Sequence, residues 1–404
     1  MTAPGIDIKK ERLLVAALTA IQVCHMIDFV IMVPLGPQLT RVLNITSAQF
    51  GLLVSIYTIA ASISGLIVAL FIDRFERKRS LLAFFGAFIV GTALCGTVPN
   101  YYFLLFARMS AGAAGGVLSG MILSIIGDEI PESRRGAATG AVMSAFAISS
   151  IIGVPAGIAI ASMYNWQAPF LTLAALGLLV WVLAQKAIPN KMSQHLDHQN
   201  PSRNPFRELL TLLRVHEVQL ALLFTTVLTI SGFLLIPFTS MFVVKNLSIP
   251  EKQLSLFYGL GGVATFFSAR WVGRLADRLG KKRMFYVMAT ISFIPVLGLT
   301  HLQPGAPWGL TLFLFGLFMV AMNGRFVPSV ALMTTIVPPA RRGSFMSLNS
   351  SLQQMSAGLA ALLAGVIITE GPRGELLHFD RAGYLGSVLC LIAILIMTRV
   401  RRVN

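Results

Sequence analysis

The chain has 404 residues, 55% of them hydrophobic and only 12% charged, about half the charged share of an ordinary soluble domain. Its net charge of +16 would suit a nucleic-acid partner, but the basic residues fall between apolar runs of membrane-spanning length, which sets that class aside. Three cysteines, Cys24, Cys95 and Cys390, all lie inside apolar runs and fit neither a disulfide scaffold nor a metal cluster.

In chain order, twelve runs can cross a hydrocarbon layer of about 30 Å. They cover 13–35, 49–71, 80–98, 101–127, 136–162, 167–187, 216–243, 253–276, 283–300, 307–335, 343–368 and 382–399. The short alternating segments of a β-barrel do not occur. The expected fold is an all-α integral membrane protein, with twelve transmembrane helices in two pseudo-symmetric six-helix bundles. Residues 1–187 form the first bundle, 188–215 a cytoplasmic linker and 216–404 the second. Two echoes carry the duplication. Asp73-Arg74-Phe75-Glu76-Arg77-Lys78-Arg79 returns 204 positions later as Asp277-Arg278-Leu279-Gly280-Lys281-Lys282-Arg283. Pro131-Glu132-Ser133-Arg134-Arg135-Gly136 returns 207 positions later as Pro338-Pro339-Ala340-Arg341-Arg342-Gly343.

With the N-terminus inside, only Arg41, Lys245, Lys252, Arg373 and Arg381 of the 32 Lys and Arg fall in external segments. Three more, Arg108, Arg270 and Arg325, lie within spans. This bias places both termini in the cytoplasm, where the basic surface would meet anionic membrane lipids. The opening Lys9-Lys10-Glu11-Arg12 leads into a run too long for the core of a signal peptide.

Ionisable groups inside spans are costly to expose to lipid and therefore point to function. Asp28 in the first span and Arg108 in the fourth sit at matching depths, each about seven residues from the outer end of its helix. A cavity-facing Asp28 beside Arg108 can couple proton uptake to a conformational change; a purely structural ion pair is the alternative. His25, nearly one turn before Asp28, either contacts substrate or protons, or is an ordinary interior histidine. Asn323 and Arg325 in the tenth span, with Asn349, Gln353 and Gln354 in the eleventh, form a polar group able to line a substrate cavity. Arg325 could pair with Asp28 across the halves or attract an anionic substrate. The phenylalanines Phe224, Phe233, Phe238 and Phe242 face lipid or line an apolar pocket. In the basic loops, Asp73, Arg74, Arg77 and Lys78, with Asp128 as a partner for Arg77, would latch neighbouring helices, and Asp277, Arg278 and Lys281 would do so in the second half. Gly153, Pro155 and Gly157 mark a kink or close crossing in the fifth span, a hinge or a seal. No phosphate-binding loop or hydrolase constellation occurs, so an enzyme, a cofactor and direct ATP drive are not expected.

These residues carry a family resemblance over essentially the whole chain. Gly273, Asp277, Arg278, Gly280, Lys281 and Lys282 reproduce the loop signature of major facilitator superfamily transporters. In the first copy Asp73, Arg74, Arg77 and Lys78 match, while Ala69 and Glu76 stand where glycines are usual. Arg108 with Gly112 is similar to the family's fourth-helix motif, and Gly153-Val154-Pro155-Ala156-Gly157 to the fifth-helix antiporter motif. Asn165-Trp166-Gln167-Ala168-Pro169-Phe170 resembles the motif that follows, with Gln167 in place of an arginine. The chain most resembles bacterial twelve-helix drug/proton antiporters and arabinose-type sugar efflux permeases. That resemblance implies a monomeric protein of the bacterial inner membrane exporting small molecules by alternating access in exchange for protons. Drug-like or amphipathic substrates are favoured; a sugar or metabolite efflux permease and a proton-independent facilitator are the alternatives.

Overall fold

The computed structural model describes residues 8–69, 76–97, 100–189, 211–338 and 342–400. Asp73 and Arg74, and most of the 188–215 linker, lie outside them. Backbone groups in hydrocarbon must be satisfied within their own segment, and each apolar run accordingly forms a helix. The spans are Ile8–Ile31, Ser47–Ala69, Arg77–Thr97, Tyr101–Glu129, Ser133–Met163, Ala168–Ala187, His216–Lys245, Leu254–Leu279, Lys281–Thr300, Trp308–Met333, Arg342–Ile367 and Phe379–Arg399. Eleven are both long and apolar enough to cross a membrane. The eighth, Leu254–Leu279, is 26 residues long, but Arg270, Arg274, Asp277 and Arg278 lower the apolarity of its second half. Arg270 rests its guanidinium 4.1 Å from the centre of the Phe266 ring.

Prolines break several of the spans. The first helix stops at Ile31, short of the expected 35, because Pro34 has no N–H to continue it; a short helix, Gly36–Val42, follows with Pro37 in its first turn. The seventh repeats the device, with His216–Phe233 giving way to Ile236–Lys245 at Pro237. In the fifth, a π-helical turn, Ser149–Gly153, absorbs the register lost ahead of Pro155.

The basic loops show the internal symmetry at the atomic level. Lys78 Nζ donates to the Gln185 and Ile188 carbonyls at 2.7 and 2.6 Å, closing the end of the sixth helix. Lys282, 204 positions on, donates to the Thr398 and Val400 carbonyls at the end of the twelfth, both at 3.2 Å. Phe29 and Phe233, also 204 apart, meet each other across the halves with ring centres 6.5 Å apart.

The halves are joined asymmetrically. The second span packs along the eleventh, and the fifth crosses the eighth. Small residues let these backbones approach: Gly51 lies against the Ala361 carbonyl and Gly365, and Gly262 against the Ser150 carbonyl. At the face away from the termini, one apolar cluster takes Leu35, Leu39 and Phe50 from the first half with Phe238, Met241 and Phe242 from the second. Two polar ties add to it, Arg41 to Glu251 at 2.5 Å and Ser47 to Glu370 at 3.4 Å. The clusters toward the terminal face each draw on one half only, Leu14 to Ile188 in one and Leu212 to Val400 in the other. The apolar seal between the halves therefore lies at the far face, while toward the terminal face their apolar clusters are separate among the described residues and the Ser62 hydroxyl, donating to the Ser351 carbonyl at 2.7 Å, ties the second span to the eleventh. This packing also corrects the lipid-facing reading of the seventh-span phenylalanines. Phe224, Phe238 and Phe242 are buried in these clusters and Phe233 is half-buried, because the broken helix turns its aromatic rows inward.

Candidate functional site

Three helices converge on Asp28. Its Oδ2 accepts from Arg108 Nη1 at 2.9 Å, and its Oδ1 from Thr92 Oγ1 of the third span at 3.2 Å. Asp28 is 0% exposed and Arg108 1%, so both charges lie wholly inside the first bundle. The Tyr57 ring of the second span covers the guanidinium at 4.2 Å. Glycines of the fourth span make this convergence possible. A side chain at Gly112 would run into the Tyr57 backbone, and one at Gly115 would meet His25 and the Tyr57 hydroxyl. A buried ion pair needs its remaining hydrogen bonds satisfied to offset desolvation, and here they are not. Both ring nitrogens of His25, the Tyr57 hydroxyl and Arg108 Nε are buried without a partner in good hydrogen-bond geometry, although the Tyr57 hydroxyl faces the Asp28 carboxylate closely enough to interact with it. Such a cluster suits a site that changes protonation or partners more than one that only braces the fold.

His25 sits edge-on to Phe88, 5.9 Å between ring centres. With Gln22, which bonds Ser119 at 3.0 Å, it continues a polar file along the buried side of the first span from Asp28 toward the terminal face. An apolar cleft of about 790 Å³ between the first, fifth and sixth spans runs past Cys24 and Ile27 on another side of this helix and does not include Asp28.

The second-half candidates do not form one cluster. Asn349 is buried and accepts from Thr225 Oγ1 at 2.7 Å, which commits it to holding the seventh and eleventh spans together. Asn323, Gln353 and Phe233 are half-buried, and Phe233 reaches across to Phe29 of the first half. Arg325 is buried and does not meet Asp28, whose cation is Arg108; its guanidinium lies over Gly232.

Of the latch residues, Arg77 Nε and Asp128 Oδ2 stand 2.6 Å apart, joining the third and fourth spans. Lys281 donates to the Ala331 carbonyl of the tenth at 3.3 Å. Asp277 and Arg278 are exposed at the end of the eighth helix and make no ion pair among the described residues. In the fifth span, Gly153 and Gly157 admit Ile27 and Ile31 of the first, while the Pro155 carbonyl accepts from Ser255 of the eighth at 3.2 Å. The Gly/Pro group thus lies where the two halves cross. Tyr57 and Thr92 are the members of the site that sequence reasoning missed. The one available signal was a polar residue inside an otherwise apolar span.

The Major Facilitator Superfamily family model matches residues 18–325. The chain belongs to the major facilitator superfamily. It is thus a multi-pass membrane transporter of small molecules and not an enzyme. Among major facilitator relatives, the uncharacterized transporter YwfA of Bacillus subtilis (strain 168) is 25% identical over 377 residues, covering 89% of this chain and 87% of that one. A probable sugar efflux transporter of Helicobacter pylori (strain P12) is 24% identical over 373 residues, covering 90% and 88%. The fold matches a D-xylose-proton symporter with a TM-score of 0.80 at 17% identity over 97% of this chain and 100% of the other. It also matches a bacterial homologue of the human lysosomal transporter Spinster, inward-facing and occupied, with a TM-score of 0.75 at 14% identity over 98% and 97%.

Proposed function

We propose that this transporter is a proton-coupled exporter, an antiporter that moves amphipathic or drug-like small molecules by alternating access. The observation that carries the reading is the sealed Asp28–Arg108 pair, surrounded by buried polar atoms that lack partners in good hydrogen-bond geometry. The charged carboxylate and the guanidinium 2.9 Å from it attract one another, and that attraction depends on Asp28 carrying its charge. If water from the far side delivers a proton, Asp28 becomes neutral and its attraction to Arg108 is lost. The guanidinium then seeks other acceptors, which biases the packing of the first, second and fourth spans. Returning the proton toward the terminal face restores the pair, and the file through His25 and Gln22 offers the route. Protonation thus acts as a ligand that favours one of two packings.

In our reading both termini are cytoplasmic and the membrane is the bacterial inner membrane. The sealed face is then external, and the conformation is inward-facing, ready to take substrate from the cell. The Arg77–Asp128 pair would latch the cytoplasmic ends of the third and fourth spans, while Pro155 with Gly153 and Gly157 would be the hinge. Names among the relatives make sugars a second substrate class.

The test is a substrate panel in proteoliposomes, with lipophilic cations, amphipathic acids and sugars each assayed with and without an imposed pH gradient. We expect gradient-driven movement of amphipathic compounds. Uptake of any substrate that ignores the gradient would reject the coupling.

A further inference from the structure

The second half contains an arginine in the situation that the first half resolves with a carboxylate. Arg325 is 4% exposed in the middle of the tenth span. A guanidinium has five N–H donors and no neutral form near pH 7. The hydrogen bond it makes goes from Nη2 to the Met322 thioether sulfur at 3.0 Å, a weak acceptor, and among the described residues no carboxylate pairs with it. The Cys390 sulfur also lies within hydrogen-bonding reach of the guanidinium, but sulfur is a weak acceptor and this thiol is turned as a donor toward the Ala289 carbonyl at 3.9 Å. A buried cation without a counter-charge is expensive to keep.

The internal repeat shows what is missing. Asp28 and Gly232 are 204 positions apart, the spacing of the two basic loops, and the next residues, Phe29 and Phe233, face each other across the halves. Gly232 is thus the counterpart of Asp28. Arg325 approaches that position from the facing helix, with Nη2 2.8 Å from where a side chain would begin. One turn earlier, Thr229 Oγ1 is buried with no partner, as His25 is at the corresponding place in the first half. Arg325 is 217 positions from Arg108 and so is not its repeat counterpart, but at the place equivalent to Asp28 the second half has a cation of its own, a spare hydroxyl donor and no anion.

We propose that the transported compound supplies it. A small amphipathic organic acid docks its carboxylate on Arg325 over Gly232, with the Thr229 hydroxyl as a further donor and its apolar body against Phe29 and Phe233. These rings continue to Tyr57, 5.8 Å from Phe29, and so to the cation of the proton site, which links substrate occupancy to Asp28. The assignment rests on the small-molecule transport reading but not on proton coupling, because the test uses no gradient.

The test has two arms on the full-length protein in detergent. Thermal stability is first measured with sodium chloride, benzoate and longer aryl-alkanoates at constant ionic strength, and with the corresponding amides. Acids are expected to stabilise the wild type, their amides not, and the Arg325→Gln variant at least tenfold more weakly than the wild type. Equal effects of acids and amides, an unchanged response in Arg325→Gln, or full stabilisation by chloride alone would overturn the assignment. The second arm needs no ligand. Gly232→Asp supplies a built-in anion and is expected to be more stable than Gly232→Asn and insensitive to acids, the advantage vanishing in Gly232→Asp/Arg325→Gln. A Gly232→Asp protein no more stable than Gly232→Asn would show that Arg325 is not waiting for an anion. Loss of proton coupling in Asp28→Asn with acid binding retained would separate the two readings.

Discussion

Removing either partner of the Asp28–Arg108 pair should not cost the same. Both are buried, 0% and 1% exposed, and joined at 2.9 Å, and breaking such a pair from one side costs roughly 3–5 kcal/mol. In Asp28→Asn the stranded group is Arg108, which cannot shed its charge near pH 7, so the full penalty remains and is independent of pH. In Arg108→Gln the stranded group is Asp28, still bonded by Thr92 at 3.2 Å, and a carboxylate can escape by taking up a proton. Its penalty should therefore be largest at neutral pH and shrink on acidification, because the folded variant then binds a proton that the unfolded chain does not. The double variant Asp28→Asn/Arg108→Gln strands no charge and should be more stable than Asp28→Asn alone. Thermal unfolding of purified protein in one detergent, at neutral and acidic pH, reads all three. Equal losses in both single variants at both pH values, or a double variant no better than Asp28→Asn, would refute the argument.

Further expectations concern packing and closure. Gly112→Val places a side chain against the Tyr57 backbone, and should cost about 1–3 kcal/mol in detergent unfolding and displace Tyr57 from Arg108; an unaltered melting temperature would contradict this. Lys78→Ala frees the Gln185 and Ile188 carbonyls and should lower stability by about 1 kcal/mol, as should Lys282→Ala at the twelfth helix. Arg41→Ala with Ser47→Ala removes two polar ties at the sealed face. It should shift the population toward opening on that side by no more than roughly fivefold, read as faster thiol labelling of a cysteine at Leu53. A shift far larger would mean that these ties, and not the shared apolar cluster, hold the face shut.

Much of this architecture was legible in the sequence because membrane burial restricts it so strongly. Long apolar runs leave the backbone little choice but helix, and charges survive inside only with a reason. Matching depths sufficed to bring Asp28 and Arg108 together, and the loop echo pointed to helix ends that Lys78 and Lys282 do close. Contacts between helices distant in sequence were not legible. Tyr57 and Thr92 reach the site because Gly112 allows the second and fourth spans to approach and because the third packs beside them. Neither has a periodic or spacing signal of its own. The exposed Asp277 shows the converse, since an intact loop signature did not bring it a partner among the described residues. The inward-turned phenylalanines depended on the break before Pro237, whose effect on helix direction a hydropathy pattern does not contain.

The most direct test of the central claim is proton movement accompanying substrate exchange in proteoliposomes, wild type against Asp28→Asn. The wild type is expected to move protons opposite to substrate, and Asp28→Asn to exchange substrate across equal concentrations while moving none. Proton movement persisting in that variant at the wild-type ratio would contradict the assignment of Asp28 as the coupling group.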